Sequence, residues 1–317
     1  MPIRKLLLAF LFVMAAALLV VIGDAWAPDR PAAELATRWA PPPSEFRDIQ
    51  GMQVHLRDEG RRDDPVPILL LHGTSASLHT WDGWTQALSS GHRVIRIDLP
   101  GFGLTGPFPH DDYSIERYIE FIGALLDALA LERVVIAGNS FGGQVAWETA
   151  IEMPARVAAL VLVDAAGYPF TPESVPLAFQ LARYPALRPI IERLLPRRVI
   201  RASLHDVYGD PSRVDEALVD RYYELALRDG NRRALGLRFE HVMPTAARAA
   251  RIASIRQPTL VLWGGLDRLI PPSSAERFAR DIADSRLVMF PQLGHVPHEE
   301  APQETVAVVS EFLADLR

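Results

Sequence analysis

The fold is decided by the ten residues 134–143, whose sequence is Val-Val-Ile-Ala-Gly-Asn-Ser-Phe-Gly-Gly. The apolar run Val134–Ala137 predicts a buried strand, and Gln144–Ile151 predicts the helix that follows it. Ser140 therefore lies on the turn from strand to helix, with a glycine two residues to either side. Such a turn strains the serine backbone, which only neighbours without side chains permit, and it exposes the hydroxyl above the sheet. The pattern predicts a nucleophile at Ser140; an ordinary Gly/Ser turn is the alternative.

A serine hydroxyl needs a neighbouring base and an acceptor that orients this base, and two later loops supply both residue types. Asp267 follows the predicted strand Thr259–Trp263, and His295 follows the predicted strand Arg286–Phe290. The order Ser, Asp, His, with each residue at the end of a strand, is the order expected for such a sheet. We predict that Ser140, His295 and Asp267 act as nucleophile, base and orienting acid.

Three other polar residues compete for these roles. Asp164 ends the strand before a long helical region and is the alternative acid. His298 comes three residues after His295, and because two glutamates follow it, we expect it to form ion pairs at the surface. His72 precedes a glycine turn, where we expect it to fix the loop through hydrogen bonds.

The oxyanion that forms when a carbonyl group is attacked is stabilised by backbone N–H groups aimed at it. We expect one N–H from Phe141, directly after the serine, and another from the loop after the apolar strand Val66–Leu71. Thr74 is the best placed residue of that loop, because Gly73 lets the backbone turn the Thr74 amide inward. A plain strand-to-helix turn is the alternative for this loop.

Strand and helix patterns alternate along the chain, which predicts an α/β fold with a doubly wound, mostly parallel sheet. Ligands bind beyond the carboxyl ends of the strands in such sheets. Between residues 168 and 245 helical periodicity replaces the strand pattern, which predicts a helical lid inserted into a core of residues 45–167 and 246–317. The predicted strands include Val94–Ile97, Val134–Ala137, Ala158–Val163, Thr259–Trp263 and Arg286–Phe290, and the predicted helices include Ile115–Leu131, Gln144–Ile151, Ser274–Ile282 and Glu304–Leu316.

Composition and motifs exclude several functions. The 317 residues carry a net charge of −6 and no cysteine, so disulfides and thiolate sites are ruled out, and no basic excess indicates nucleic-acid binding. A G-x-G-x-x-G match at Gly101–Gly106 is followed by Pro107 and Pro109, which prevent the helix that a dinucleotide pyrophosphate requires. The sequence also lacks zinc, calcium and P-loop spacings. We therefore expect neither a cofactor nor a metal, and the sequence makes no prediction of oligomeric state.

The N-terminal segment carries an apolar run of seventeen residues, Leu6–Ile22, preceded by Arg4 and Lys5. This pattern predicts a transmembrane signal anchor over residues 1–27 and a Pro-rich stalk over residues 28–44. The basic residues would keep the N-terminus inside, so the catalytic domain is expected outside the cytoplasmic membrane. A cleaved signal peptide, which would leave a secreted or periplasmic protein, and a buried helix of the globular domain are the alternatives.

Five pieces of the sequence match a known family. They are Leu-His-Gly-Thr at 71–74 with Trp81 and Trp84 downstream, Asp-Leu-Pro-Gly-Phe-Gly at 98–103, Gly-Asn-Ser-Phe-Gly-Gly at 138–143, Leu-Trp-Gly-Gly-Leu-Asp at 262–267, and Gly-His at 294–295. With these pieces, about residues 46 to 317 resemble the lid-bearing α/β-hydrolases, close to carboxylesterases and to the C–C bond hydrolases of aromatic degradation. Dehalogenases and epoxide hydrolases of similar architecture carry aspartate in place of the serine, so the resemblance disfavours them.

The resemblance implies roles for six residues: a catalytic triad of Ser140, Asp267 and His295, an oxyanion hole of Thr74 and Phe141, and a structural position at Asp98. On this basis we expect a membrane-tethered serine hydrolase that cleaves small apolar carboxylic esters through an acyl-enzyme. One alternative is a C–C bond hydrolase with the same triad. The other is a non-catalytic ligand-binding protein that retains the hydrolase fold.

Overall fold

The computed structural model describes residues 2–242 and 244–316. The strands are β1 (Glu45–Ile49), β2 (Met52–Gly60), β3 (Ile68–Leu71), β4 (Arg93–Ile97), β5 (Val134–Asn139), β6 (Val157–Val163), β7 (Thr259–Gly264) and β8 (Ser285–Phe290). They form an eight-stranded sheet with the order β1-β2-β4-β3-β5-β6-β7-β8. β2 runs antiparallel to β1 and β4, and the other neighbouring strands are parallel to each other. The predicted doubly wound, mostly parallel sheet is confirmed.

Helices cover the sheet and fill the long connection between β6 and β7. They are α1 (Pro2–Ala25), α2 (Ala32–Trp39), α3 (Asp82–Leu88), α4 (Ile115–Ala128), α5 (Phe141–Glu152), α6 (Leu177–Ala182), α7 (Arg188–Ile191), α8 (Arg197–Val207), α9 (Glu216–Ala226), α10 (Asn231–His241), α11 (Ala246–Ala249), α12 (Ser273–Asp281), α13 (Pro297–Glu300) and α14 (Pro302–Asp315). Short 3₁₀ helices occur at Leu78–Trp81, Pro154–Arg156, Pro185–Leu187, Pro211–Arg213 and Ala250–Ser254. We call α6 to α10 and their connections the helical insertion.

The central strands are apolar throughout because both faces of the sheet are covered. Successive side chains of a strand point to opposite faces, and in β3 they enter two separate cores. Leu69 and Leu71 pack in the cluster that includes side chains of α4, α5 and α12. Ile68 and Leu70 pack in the cluster formed with α3 and α14. Burying an aliphatic side chain of this size contributes about 1.5–3 kcal/mol to the free energy of unfolding. Continuous apolar strands therefore favour a sheet covered on both faces over a sheet with one face in water.

Asp98 is a buried carboxylate just after β4 that ties three parts of the chain together. Its Oδ2 accepts hydrogen bonds from Nδ1 of His55 at 2.7 Å and from the N–H of Leu104 at 2.8 Å, and its Oδ1 accepts one from the N–H of Leu78 at 2.7 Å. Burial by itself raises the pKa of Asp98, but the nearby His55 imidazole and its hydrogen bond outweigh burial and hold this pKa well below its usual range. Asp98 therefore has the structural role that the resemblance implies.

The segment between α1 and β1 is bound to the helical insertion. The N–H of Ala27 donates to the carbonyl of Arg193 at 2.9 Å, and the N–H of Leu195 donates to the carbonyl of Ala25 at 2.8 Å. Further along, Nε1 of Trp39 donates to a carboxylate oxygen of Glu224 in α9 at 2.7 Å. Residues 25–39 thus pack against the same helices that line the cavities described below.

The predicted transmembrane anchor is wrong. The first helix extends over Pro2–Ala25, but among the described residues no helix combines the length and the apolar character that crossing a membrane requires. A spanning helix needs about 20 predominantly apolar residues, and the apolar run Leu6–Ile22 has only seventeen. The predicted membrane partner and the predicted single-pass placement in the cytoplasmic membrane depended on this anchor, and they are wrong with it.

We predict that Asp98→Ala lowers the free energy of unfolding by about 3–5 kcal/mol, because it leaves the buried partners His55, Leu78 and Leu104 without their acceptor. Urea unfolding at pH 7, followed by circular dichroism, measures this loss. Asp284→Ala is the matched control, since Asp284 is exposed and its side chain makes no hydrogen bond to a described residue. A loss below about 1 kcal/mol for Asp98→Ala would contradict the structural role.

The pH dependence of this loss has a defined sign. Because folding depresses the pKa of Asp98, its contribution to stability is fully present above the unfolded value of about 3.9 and is lost as the pH falls through the folded pKa. The difference in stability between the wild type and Asp98→Ala should therefore shrink as the pH is lowered below about 4.

Candidate active site

Ser140 lies in a backbone conformation that side chains rarely adopt, with φ of 54° and ψ of −115°. The turn is possible because the two flanking glycines allow backbone segments to approach closely. A Cβ on Gly138 would lie 2.3 Å from the carbonyl oxygen of Gly142, and a Cβ on Gly142 would lie 2.3 Å from the carbonyl oxygen of Leu71. Neither contact is sterically possible, so the geometry requires glycine at both positions. The strained turn places Ser140 between the end of β5 and the start of α5.

His295 and Asp267 are hydrogen-bonded to each other beyond the ends of β8 and β7. Nδ1 of His295 lies 2.7 Å from Oδ2 of Asp267. The other oxygen of Asp267 accepts the N–H groups of Leu269 at 2.8 Å and of Ile270 at 3.0 Å, so the carboxylate is held from two sides. With Nδ1 donating to Asp267, Nε2 is the atom that can accept a proton. The side chain of Asn139 also donates to the carbonyl of His295 at 3.0 Å, which ties this loop to β5.

Ser140 and His295 line the same cavity. Neither the Ser140 hydroxyl nor Nε2 of His295 has a hydrogen-bond partner among the residues that the structure describes. Both atoms are therefore free to contact a substrate, and proton-transfer contacts commonly tighten only when a substrate is bound. The structure brings the three residues of the predicted triad to one edge of the sheet.

Asp164, the alternative acid, is adjacent to this pair but does not hold the imidazole. One of its oxygens accepts the N–H of Gly264 at 2.9 Å, while Asp267 accepts from His295. Burial, together with the charge of Asp267, raises the pKa of Asp164 well above its usual value.

Ligand atoms of Asp164, Asp267 and His295 lie within 4.8 Å of one another, a spacing that a metal ion could bridge. However, both oxygens of Asp267 already accept hydrogen bonds within the protein. An imidazole hydrogen-bonded to a carboxylate that has no free oxygen matches proton-transfer chemistry better than it matches a cation site.

The loop after β3 packs directly against the nucleophile. A Cβ on Gly73 would lie 2.6 Å from Oδ1 of Asn139 and 3.2 Å from Cβ of Ser140, so only glycine fits here without displacing Asn139. Thr74, the next residue, lines both cavities that reach Ser140. The N–H groups of Thr74 and Phe141 donate to no described residue. Thr74 and Phe141 thus line a cavity beside Ser140, and their role as oxyanion donors stays a prediction.

The other two histidines near the site are buried and have different environments. In His72, Nδ1 lies 2.7 Å from the carbonyl of Gly73 and Nε2 accepts the N–H of Leu99 at 2.9 Å, so this side chain fixes the loop as predicted. The predicted surface ion pairing of His298 is wrong, because its ring is fully buried and stacks 4.0 Å from the ring of Trp81. Burial lowers the pKa of both imidazoles, which keeps them neutral.

Two adjoining cavities reach Ser140. The first, which we call the apolar cavity, has a volume of about 140 Å³ and also contains His295 in its wall. The second, which we call the arginine cavity, has a volume of about 230 Å³. Side chains of the helical insertion form much of both walls: Leu181, Ile191, Leu195, Val199, Ile200 and Leu204 in the apolar cavity, and Phe179, Arg183, Arg238 and Phe239 in the arginine cavity.

Arg238 and Arg183 were not among the residues predicted from the sequence. The insertion is rich in arginine, and a single sequence does not indicate which of these side chains is buried beside the nucleophile. Their position depends on how the insertion folds over the edge of the sheet.

Residues 66–302 match the profile of the family described as alpha/beta hydrolase fold. The chain belongs to this family. The match covers the β3 loop, the serine turn and the strand ends that carry Asp267 and His295, so the hydrolase fold and the predicted resemblance are both confirmed.

Several curated and solved relatives are hydrolases. The chain is 32% identical over 273 residues to a 2-hydroxy-6-oxo-2,4-heptadienoate hydrolase of Pseudomonas putida. The aligned region covers 83% of this chain and 94% of the relative. A solved meta-cleavage product hydrolase, CumD of Pseudomonas fluorescens IP01, is 26% identical with a TM-score of 0.73, over 86% of this chain and 98% of that one. A thermophilic esterase of Thermogutta terrifontis is 25% identical with a TM-score of 0.69, over 86% and 97%. The protein is therefore a hydrolase.

We predict that replacement by asparagine affects kcat strongly at Asp267 and weakly at the neighbouring Asp164. Asp267→Asn should lower kcat by about 10⁴-fold, because asparagine neither carries the charge nor favours the imidazole tautomer that leaves Nε2 free. Turnover of 4-nitrophenyl acetate measures kcat. Asp164→Asn is the matched control and should change kcat by less than about tenfold, because Asp164 makes no hydrogen bond to the His295 imidazole. The reverse order of effects would make Asp164 the orienting acid.

Proposed function

We propose that this hydrolase cleaves a carbon–carbon bond next to a ketone in an unsaturated oxo acid, with Ser140 as nucleophile, His295 as base and Asp267 as orienting acid. The observation that carries the proposal is the cavity onto which both the Ser140 hydroxyl and the Asp267-bound imidazole of His295 open. The identity to a 2-hydroxy-6-oxo-2,4-heptadienoate hydrolase supports this class of substrate over a simple ester.

The first step is attack on the ketone. Nε2 of His295 takes the proton of the Ser140 hydroxyl, and Oγ forms a bond to the ketone carbon, carbon 6 in such an acid. The resulting imidazolium is stabilised by Asp267. The negative charge that develops on the ketone oxygen is placed near the N–H groups of Thr74 and Phe141, and each such donor contributes about 10²–10³-fold in rate.

The second step breaks the bond between carbons 5 and 6. In the keto tautomer of the substrate, in which the hydroxyl proton has moved to carbon 5, the conjugated chain and its 2-oxo group accept the electron pair of this bond. The imidazolium of His295 then returns its proton to the leaving carbon chain, and an acyl group stays on Ser140.

The third step frees the enzyme. Nε2 of His295 takes a proton from water, the hydroxide attacks the acyl carbon, and the same two N–H donors stabilise the second oxyanion. When the ester bond breaks, the proton on His295 returns to Oγ of Ser140, so one water is consumed for each bond cleaved.

Ester hydrolysis is the second candidate function. The wall of the apolar cavity consists largely of aliphatic side chains, which fit an uncharged acyl chain, and the esterase of Thermogutta terrifontis has a similar fold. Esters require no conjugated acceptor for the electron pair, so the same triad hydrolyses them with fewer demands on the substrate.

A substrate panel distinguishes the two functions. We expect kcat/KM for 2-hydroxy-6-oxo-2,4-heptadienoate to exceed that for 4-nitrophenyl esters of two to eight carbons, with both activities absent in Ser140→Ala. The loss of dienoate absorbance and the release of 4-nitrophenol report the two reactions. Turnover of esters together with no cleavage of the dienoate would overturn the C–C proposal and favour the esterase function.

A further inference from the structure

Arg238 is a buried cation that has no carboxylate partner. It lies in α10 with only 5% of its surface exposed, and its guanidinium makes no hydrogen bond to any described residue. The other buried arginines differ, since Arg57, Arg96 and Arg232 each face a carboxylate. Burying a charge without a partner is costly, so an isolated buried arginine calls for a ligand of opposite charge.

Two aromatic rings hold the Arg238 guanidinium in place. Its Cζ lies 4.6 Å from the ring centre of Phe141 and 4.3 Å from that of Phe239. Such cation–π contacts compensate only part of the lost hydration, and they leave the N–H edge of the guanidinium unused. Phe141 directly follows the nucleophile, so one ring connects Arg238 to the reacting centre.

The surroundings of Arg238 favour an anion. The guanidinium lines the arginine cavity, and no acidic side chain lines this cavity in the described part of the chain. A second guanidinium, that of Arg183, lies in the same wall, and its Cζ is 5.3 Å from the ring centre of Phe239. Gln144 adds an amide that can donate a hydrogen bond. Burial lowers the pKa of Arg238 to about 10, so the group remains charged at neutral pH.

We infer that the arginine cavity binds the carboxylate of the substrate, with Arg238 as the residue that contacts it and Arg183 as a second positive charge. This inference rests on the proposed function for its substrate class and adds the orientation of the substrate. The acid end enters the arginine cavity, the ketone lies over Ser140, and the uncharged end enters the apolar cavity. A guanidinium forms two parallel hydrogen bonds with a carboxylate, which suits an anion of this shape.

The orientation also affects the chemistry. When the bond between carbons 5 and 6 breaks, the electron pair spreads over the part of the substrate that ends in the carboxylate. This part lies in the arginine cavity, so Arg238 faces the half of the substrate that gains negative charge. A fixed cation in a site with little water stabilises such charge without reorganisation.

The test compares an acid with its neutral amide as competitive inhibitors of 4-nitrophenyl ester hydrolysis. 6-Oxoheptanoate and 6-oxoheptanamide have the same length and ketone, and since both are saturated, neither has the conjugated chain that C–C cleavage requires. We expect the wild type to bind the acid about 10- to 100-fold more tightly than the amide. In Arg238→Gln this preference should fall to about one, with binding of the amide unchanged.

Arg233→Gln is the matched control. Arg233 lies in the same helix, but it is exposed and paired with Asp111, so its loss should leave the preference for the acid intact. If Arg238→Gln does not fold, the preference for the acid over the amide is measured in Arg238→Lys instead. Lysine keeps the charge and should retain part of this preference.

Three results would overturn the inference: a wild type that does not prefer the acid, an Arg238 variant that keeps the full preference, or a variant that weakens acid and amide equally. The last result would indicate a merely structural role. Failure of the proposed function looks different, since the dienoate would then not be cleaved while the Arg238-dependent preference for the acid persists.

Discussion

The close approach between the serine turn and the end of β3 is the constraint on which the site depends. The backbone of Gly142 lies so near the carbonyl of Leu71 that no side chain fits between them. This contact accompanies the strained backbone of Ser140, and Thr74 and Phe141 line a cavity together with Ser140. The strain is tolerated because apolar side chains on both faces of the sheet hold β3 and β5 in register.

The polar groups at this edge of the sheet differ in their hydrogen-bond partners. Asp98 and His72 are buried, and each binds backbone groups of neighbouring loops. By contrast, the Ser140 hydroxyl, Nε2 of His295 and the guanidinium of Arg238 have no partner in the described chain, and all three face cavities. Buried polar groups are normally paired, so unpaired ones that converge on a cavity mark where a substrate completes the structure.

Two sequence-based expectations failed for different reasons. The apolar run near the N-terminus predicted a membrane anchor, and the two glutamates after His298 predicted a surface position. The first failed because the apolar run is short for a membrane span, and the second failed because packing covers His298. Among the described residues no helix can cross a membrane, and α3 with its preceding 3₁₀ turn brings Trp81 and Trp84 against His298. The burial of a side chain such as His298 depends on neighbours in space, which a short window of sequence does not contain.

The sequence alone determined the sheet, the serine turn and the chain order of Ser140, Asp267 and His295. These features follow from short-range rules: apolar runs form buried strands, and only glycine fits where two backbones touch. Only the tertiary structure decided that Asp267 rather than Asp164 holds the imidazole, and that Arg238, alone among the buried arginines of residues 2–242 and 244–316, lacks a carboxylate. Both outcomes depend on distances between groups that are far apart along the chain, and packing sets those distances.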